Sequence, residues 1–183
     1  MPTVDDCIQL LTERGDSEYG GEAVTQLEHA LQCATLAERE GASAALISAA
    51  LLHDVGHLLH VLPNDAPDQG IDDAHEDLGC RYLRKVFGEP ISEPVRLHVP
   101  AKRYMCATIE GYQNQLSHPS LISLELQGGA MTPEEVKEFE QNGFANDAVR
   151  LRRWDDTAKV PKLATPSLHY FAKYLREAAT VLD

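Results

Sequence analysis

Histidines and aspartates are the residues here that could do chemistry, and they are densest in Leu51-Leu52-His53-Asp54-Val55-Gly56-His57. An apolar lead-in, Ala49-Ala50-Leu51-Leu52, runs straight into an adjacent His–Asp pair. A buried helix does not normally end on an imidazole and a carboxylate unless something satisfies them. A divalent or trivalent metal does so: His supplies a neutral nitrogen, and Asp a carboxylate able to bridge two ions. Adjacent residues on a helix point about 100° apart, so one such pair can address two neighbouring ions. His29, His53, His75 and His98 recur at intervals of 22 to 24 residues, and an Asp at 155 or 156 extends the series. Each histidine is expected near a helix end, as if successive helices converged on one centre. Nitrogen and carboxylate donors without thiolate suit iron, manganese, zinc or nickel. Six protein ligands with one bridging carboxylate imply two ions, because a single ion would keep no open position.

Taken singly, the histidines have plainer readings. His29 lies between Leu27 and Leu31 and could be a core-edge histidine with a backbone partner. His75 could be a surface histidine beside Glu76 and Asp77. His53 and His57 are four apart and share a helical face, which alone means a mononuclear pair or nothing. The ordered series outweighs these readings.

The elements that must position the series are helices throughout; no strand pattern stands out. Thr3 caps a first helix over Val4 to Arg14. Tyr19-Gly20-Gly21-Glu22 is a turn or loop, because two glycines resist helix. A second helix is expected from Val24 to Glu40, and Ser43 caps a third that carries the central motif. Gly56 permits a close backbone approach or a helix end. A polar loop from Pro63 to Asp73 should border the site, and Asp73 should cap a helix over 74–87. Glu93 to Leu97 reads as a short helix leading to His98, with Pro100 breaking or restarting it. Ser120 is a candidate cap for Leu121 to Leu126, after a turn at His118-Pro119-Ser120. Thr132-Pro133-Glu134-Glu135 is a capping box with proline in the first turn. Further helices are expected over 146–158 and after Thr165-Pro166. With no repeat, linker or low-complexity tract, the expectation is one compact all-α bundle over residues 1–183.

Composition narrows the function. The 183 residues, 43% hydrophobic and 25% charged, are enough for one domain with a core. No apolar run is long enough for a membrane span, and Met1 to Asp6 lacks signal-peptide character, so a cytoplasmic protein is expected. A formal charge of −13 argues against nucleic acid as a partner. It also means that a phosphate-like substrate must be held by a few local cations. Cys7, Cys33, Cys80 and Cys106 lie far apart and read as reduced core thiols.

The order of residues, more than any single motif, resembles a known family. The series His29, His53-Asp54, Asp155 resembles the HD-domain superfamily of metal-dependent phosphohydrolases, and His75 and His98 resemble its dinuclear branch. More closely, the chain is similar to the HD-type mixed-valence di-iron oxygenases that act on organophosphonates; myo-inositol oxygenase is a more distant relative. The likeness is carried by Tyr19 to Glu22, Gln26 to His29, Leu31 to Ala34, Ala49 to His57 and His75-Glu76. It continues through His98-Val99-Pro100-Ala101-Lys102-Arg103-Tyr104, Leu126 to Met131 and Arg152-Arg153-Trp154-Asp155, so it covers nearly the whole chain.

This resemblance implies two irons, Fe(II)/Fe(III), with O2 as co-substrate. The implied ligands are His29, His53, Asp54, His75, His98 and Asp155, with Asp54 bridging; the choice of Asp155 over Asp156 rests on the resemblance alone. Lys102, His57, Arg152, Ser120 and Gln127 match residues that hold the phosphonate. Glu22 matches a carboxylate that takes the substrate's ammonium, and Tyr19 a tyrosine that leaves the iron when substrate binds; a core-packed loop aromatic is its plainer reading. The implied reaction oxidises C1 of a 1-hydroxy-2-(amino or trimethylammonio)ethylphosphonate and breaks its C–P bond, giving glycine or glycine betaine and phosphate. Asp72 and Asp73 could favour a cationic substrate if they face the site. Arg103, Arg153 and Asp156 read as solvated surface charges. A metal-dependent phosphohydrolase and a non-catalytic HD sensor module are the competing readings.

Overall fold

A computed structural model describes residues 1–59 and 73–180. Among these the structure is helical, with one isolated bridge between Glu18 and Thr25. The chain begins with α1 (Val4–Arg14), α2 (Gln26–Arg39), α3 (Ala44–Leu52) and α4 (Val55–Leu59). It continues with α5 (His75–Phe87), α6 (Glu89–Thr108), a short 3-10 helix (Tyr112–Gln115) and α7 (His118–Leu126). It ends with α8 (Pro133–Glu140), α9 (Ala145–Thr157) and α10 (Leu168–Thr180). No helix among the described residues is long and apolar enough to cross a membrane.

The centre of the core is α3. Every residue from Leu46 to Leu52 is buried, and a helix apolar on all sides belongs inside. It packs against α2, α6, α9 and α10. Leu46, Ile47, Leu51 and Leu52 join Leu83, Phe87, Leu151, Trp154, Phe171 and Leu175 in one cluster. Each such side chain contributes about 1.5–3 kcal/mol by leaving water. The helix must stop where its apolar run stops, and it stops at the His–Asp pair.

Local signals set most boundaries. Thr3, Thr25 and Thr132 each accept from a backbone N–H three residues on and form capping boxes with Asp6, Glu28 and Glu135. Other expectations need correction. His53 and Asp54 do not continue α3; they form the turn between α3 and α4, so His53 and His57 do not lie on one helix. The helix that starts at His75 is preceded by Ala74 in a left-handed conformation (φ 47°), and Asp73 is not its cap residue. Ser117, not Ser120, caps α7, accepting from the Ser120 N–H. The 3-10 helix lacks the length for a periodic signal and was not foreseen.

The largest correction is α6. It runs unbroken for 20 residues through Pro94 and Pro100. A proline inside a helix costs about 3 kcal/mol because it removes a hydrogen bond and crowds the preceding turn. Here α6 lies against both α5 and α9, with Ile91, Val95, Leu97, Val99, Ala101 and Met105 buried along it. That burial outweighs the local penalty.

Candidate metal centre

Four helices and one turn deliver six donors to one place. His29 comes from the first turn of α2, His53 and Asp54 from the turn after α3, His75 from the start of α5, His98 from the middle of α6 and Asp155 from α9. All six are buried, including His75. The surface reading of His75 is therefore wrong. So is the expectation that every histidine lies near a helix end, because Pro100 does not interrupt α6.

The imidazoles meet through their Nε2 atoms. His29 and His53 Nε2 lie 3.1 Å apart, and His75 and His98 Nε2 lie 3.2 Å apart. Their Nδ1 atoms face acceptors: the Ala158 carbonyl at 2.9 Å from His29, that of Ala50 at 2.9 Å from His53, and that of Val95 at 2.6 Å from His98. His75 Nδ1 faces Asp73 Oδ1 at 2.9 Å. A carbonyl or carboxylate only accepts, so each Nδ1 carries a proton and each ring turns its Nε2 lone pair inward, toward a metal ion or a proton. Two such lone pairs at 3.1 Å repel each other unless a cation lies between them. Two nitrogens bound at right angles to one ion, at about 2.1 Å each, would be about 3.0 Å apart.

Asp54 joins the two pairs. Its Oδ2 lies 3.2 Å from His53 Nε2 and 3.6 Å from His29 Nε2. Its Oδ1 lies 3.4 Å from His75 Nε2 and 3.5 Å from His98 Nε2. Asp155 Oδ1 adds a donor 3.4 Å from His29 Nε2. Asp54 Oδ2 is buried and has no hydrogen-bond partner among the described residues, an expensive arrangement for a carboxylate unless a cation satisfies it. Burial works against charge on His53, yet Asp54 and Asp155 outweigh it and raise its pKa to about 9. The centre is therefore a well for positive charge. One side of it offers two imidazoles and two carboxylates, and the other two imidazoles and one carboxylate oxygen. These residues fit two metal ions that share Asp54. Cys33 Sγ is 3.7 Å from His29 Nε2, but burial and the carboxylates of Asp155 and Asp54 hold its thiol well above the ordinary range. All four cysteines are free, Cys106 being half-buried and the others buried.

Tyr19 closes one side. Its ring stacks on His29 at 3.9 Å between centroids, and its hydroxyl donates to Asp155 Oδ1 at 3.2 Å. Gly20 and Gly21, at φ 42° and 77°, let the loop turn sharply enough for Glu22 N–H to bond the Tyr19 carbonyl. Glu22 does not stand alone: Lys159 Nζ is 2.9 Å from its Oε1 and also reaches Ser117 and Ser120. Lys159 was not singled out in the sequence. Its position five residues after Trp154 carries no signal until α9 ends and the chain folds back across Glu22.

Of the expected anion-holding residues, Lys102 on α6 and Arg152 on α9 are near enough for their charges to interact, whereas Ser120 on α7 bonds Lys159 and His57 stands on α4. Lys102 is 2% exposed and donates to Ser123. Burial, then the nearby Arg152 charge, lowers its pKa to about 7. Arg152 is buried and clamped by Asp155 Oδ2 at 2.7 Å and by Asp156. Tyr112 also donates to Asp156, so Asp156 is a clamp rather than a solvated surface charge. Arg103 likewise ties α6 to the Gly129 carbonyl and to Glu135, whereas Arg153 is exposed as expected. Gln127 Oε1 is buried without a hydrogen-bond partner among the described residues. His57 stacks on His75 at 3.9 Å, and its Nε2 is 4.0 Å from Asp54 Oδ1. Residues 63–72 of the expected bordering loop, Asp72 included, lie outside the described residues; Asp73 lies behind the centre, its carboxylate on the Nδ1 edge of His57 and His75.

Comparison with known proteins shows what the chain is similar to. The family model described as HD domain matches residues 27–137. The chain is 48% identical over 170 residues to the hydroxymethylphosphonate dioxygenase of Gimesia maris, covering 92% of this chain and 84% of that protein. It is 44% identical over 163 residues to the glycine-betaine-forming [1-hydroxy-2-(trimethylamino)ethyl]phosphonate dioxygenase of Leisingera caerulea, covering 89% and 83%. An uncharacterised protein of Acanthamoeba polyphaga mimivirus is 36% identical over 180 residues, covering 97% and 82%.

Proposed function

The chain belongs to the HD-domain family, and from that membership we propose that it is an iron-dependent oxygenase that cleaves the C–P bond of a 1-hydroxyalkylphosphonate. The reaction takes R–CH(OH)–phosphonate and O2 to a carboxylate and phosphate. C1 is oxidised, all four electrons go to O2, and both products keep every atom. With an aminomethyl or trimethylammoniomethyl R group the carboxylate is glycine or glycine betaine. The 48% identical relative is named for hydroxymethylphosphonate, where R is hydrogen, and that substrate joins the class.

One observation carries the reading: two pairs of inward Nε2 atoms face opposite oxygens of one carboxylate, Asp54. His29, His53, Asp155 and Asp54 Oδ2 would hold one iron, and His75, His98 and Asp54 Oδ1 the other, as a Fe(II)/Fe(III) pair. Bound there, the irons supply Lewis acidity toward substrate oxygens and the redox capacity that O2 requires. The unequal donor sets leave the His75/His98 side with fewer protein ligands and hence with room for substrate. That α9 lies beyond the matched residues 27–137 yet supplies Asp155 and Arg152 supports reading residues 1–183 as one domain.

The remaining groups orient the substrate. Lys102 and Arg152 are the buried cations for the phosphonate, with Ser120, Gln127 and His57 as polar partners. They supply local positive charge within a chain of net charge −13. Arg152 cannot drift, because Asp155 and Asp156 fix its fork. Tyr19 covers His29 and keeps water from that face until substrate arrives. Glu22 is the partner for a substrate ammonium, already half-neutralised by Lys159. Hydroxymethylphosphonate asks nothing of Glu22.

The test is anaerobic reconstitution with Fe(II), followed by O2. Phosphate release is then measured from hydroxymethylphosphonate and from the 2-amino and 2-trimethylammonio 1-hydroxyethylphosphonates. Oxygen-dependent release is expected, and the ratio of rates names the substrate. Fast hydrolysis of a phosphomonoester without oxygen, with no release from these three, would replace the oxygenase by a phosphohydrolase.

A further inference from the structure

Asp73 sits where two chemistries meet. Its Oδ1 is 2.9 Å from His75 Nδ1, and its Oδ2 is 2.7 Å from His57 Nδ1. The two rings are stacked at 3.9 Å with 20° between their planes. One carboxylate thus accepts from both imidazoles along the same edge of the stack. Their opposite nitrogens both turn toward Asp54 Oδ1, at 3.4 Å from His75 and 4.0 Å from His57.

Two backbone features hold this arrangement. Ala74 takes a left-handed conformation (φ 47°, ψ 40°), which a residue with a Cβ adopts only at a cost. That turn folds the Asp73 carboxylate back over the start of α5, where Oδ1 also accepts from the His75 N–H at 3.3 Å. Gly56 lets α4 press against the same point: a Cβ there would meet the His75 carbonyl oxygen at 1.9 Å. Only glycine allows α4 close enough to lay His57 on His75.

Resting on the function proposed above, we propose that Asp73 is a positioning residue that couples the His75/His98 side of the metal centre to the phosphonate-binding face of His57. Its acceptor-only oxygens fix a proton on each Nδ1 and so aim both Nε2 atoms inward. Because both rings share one carboxylate, neither can turn without disturbing the other. Substrate seated on His57 therefore steadies His75, and a loaded centre pre-sets His57 for substrate.

The isosteric Asp73→Asn variant tests this. Its amide presents one acceptor and one donor, so one of the two Nδ1–H groups loses its partner. Expected are a rise of tenfold or more in KM for the best phosphonate and release of one of the two irons to a chelator at least tenfold faster. The melting temperature should stay within a few degrees of wild type. In a His57→Ala background, Asp73→Asn should add no further rise in KM while still accelerating iron release. Asp73→Ala is the second variant and should give the same pattern. Wild-type KM and wild-type iron release in both variants would overturn the proposal. A third metal ion per chain would do so too, because His57, Asp73 and His75 bring three donor atoms within 4.8 Å and would then form a site of their own. Wild-type protein with two irons but no oxygen-dependent phosphate release would instead sink the oxygenase reading, while the iron-release comparison would still report on Asp73.

Discussion

His29 and His53 are held by main-chain carbonyls, of Ala158 and Ala50, deep in the core. On the other side His98 is held in the same way, but His75 is held by a side chain, Asp73, beside a His57 that is 27% exposed. The first side adds a second carboxylate, Asp155, itself braced by Arg152. Among the described residues the second adds none. The Ala50 and Val95 carbonyls lie within packed helices and that of the buried Ala158 at the end of α9, so each is fixed by the backbone, whereas a side chain on a strained turn can move. On the proposed reading, one side is thus built to keep its ion, and the other to keep open positions and respond to what enters.

Asp54 is the residue on which that contrast depends, because one oxygen serves each side. Asp54→Ala should take iron from two per chain toward none and cut oxygen-dependent phosphate release by more than about 100-fold. His98→Ala should be milder toward metal, leaving about one iron per chain, because the His29/His53/Asp155 side stays intact. Iron analysis after gel filtration decides the matter. If His98→Ala loses both ions, the two sides are not separable and the comparison fails.

A smaller effect separates substrate holding from metal holding. Burial and the Arg152 charge lower the Lys102 pKa to about 7, with Asp155, Asp156 and Cys106 acting the other way. The ammonium form attracts a phosphonate dianion, and above pH 7 its fraction falls about tenfold per pH unit. KM should therefore rise with pH beyond about 7, while iron content stays constant. Lys102→Arg, charged throughout that range, should flatten the rise. A KM that is flat with pH in the wild type would remove Lys102 from the phosphonate site.

What was legible in the sequence follows the same division. The adjacent His53-Asp54 pair and the evenly spaced His29, His75 and His98 carry the centre, and all of them meet in the structure. They are legible because buried ionisable groups at the end of an apolar run need a reason. The caps Thr3, Thr25 and Thr132 are equally local. The path of α6 through Pro100 was not legible, because its support comes from α5 and α9, distant in sequence. Neither were the Asp156 clamp on Arg152, the Lys159–Glu22 pair and the double grip of Asp73. Each joins residues whose contact exists only after folding, and each alone looks like an ordinary surface charge.

Glu22 gives the finest test, since the proposed function assigns it to the substrate and not to the metal. Its carboxylate bonds Lys159 Nζ at 2.9 Å, and that nitrogen stands 5.7 Å over the Tyr19 ring. Both side chains are partly exposed, so the pair itself adds little stability. Glu22→Ala should leave iron at two per chain and change kcat/KM for hydroxymethylphosphonate by less than about threefold. For the 2-amino substrate it should cut kcat/KM by about tenfold or more, the worth of a hydrogen bond to a charged group. A trimethylammonium group donates no hydrogen bond and feels only the charge, so its loss should fall between the two. If iron is lost instead, Glu22 belongs with the metal donors. If all three substrates suffer equally, its work is to hold Lys159 and Tyr19 in place, and the choice of amine is made elsewhere in the site.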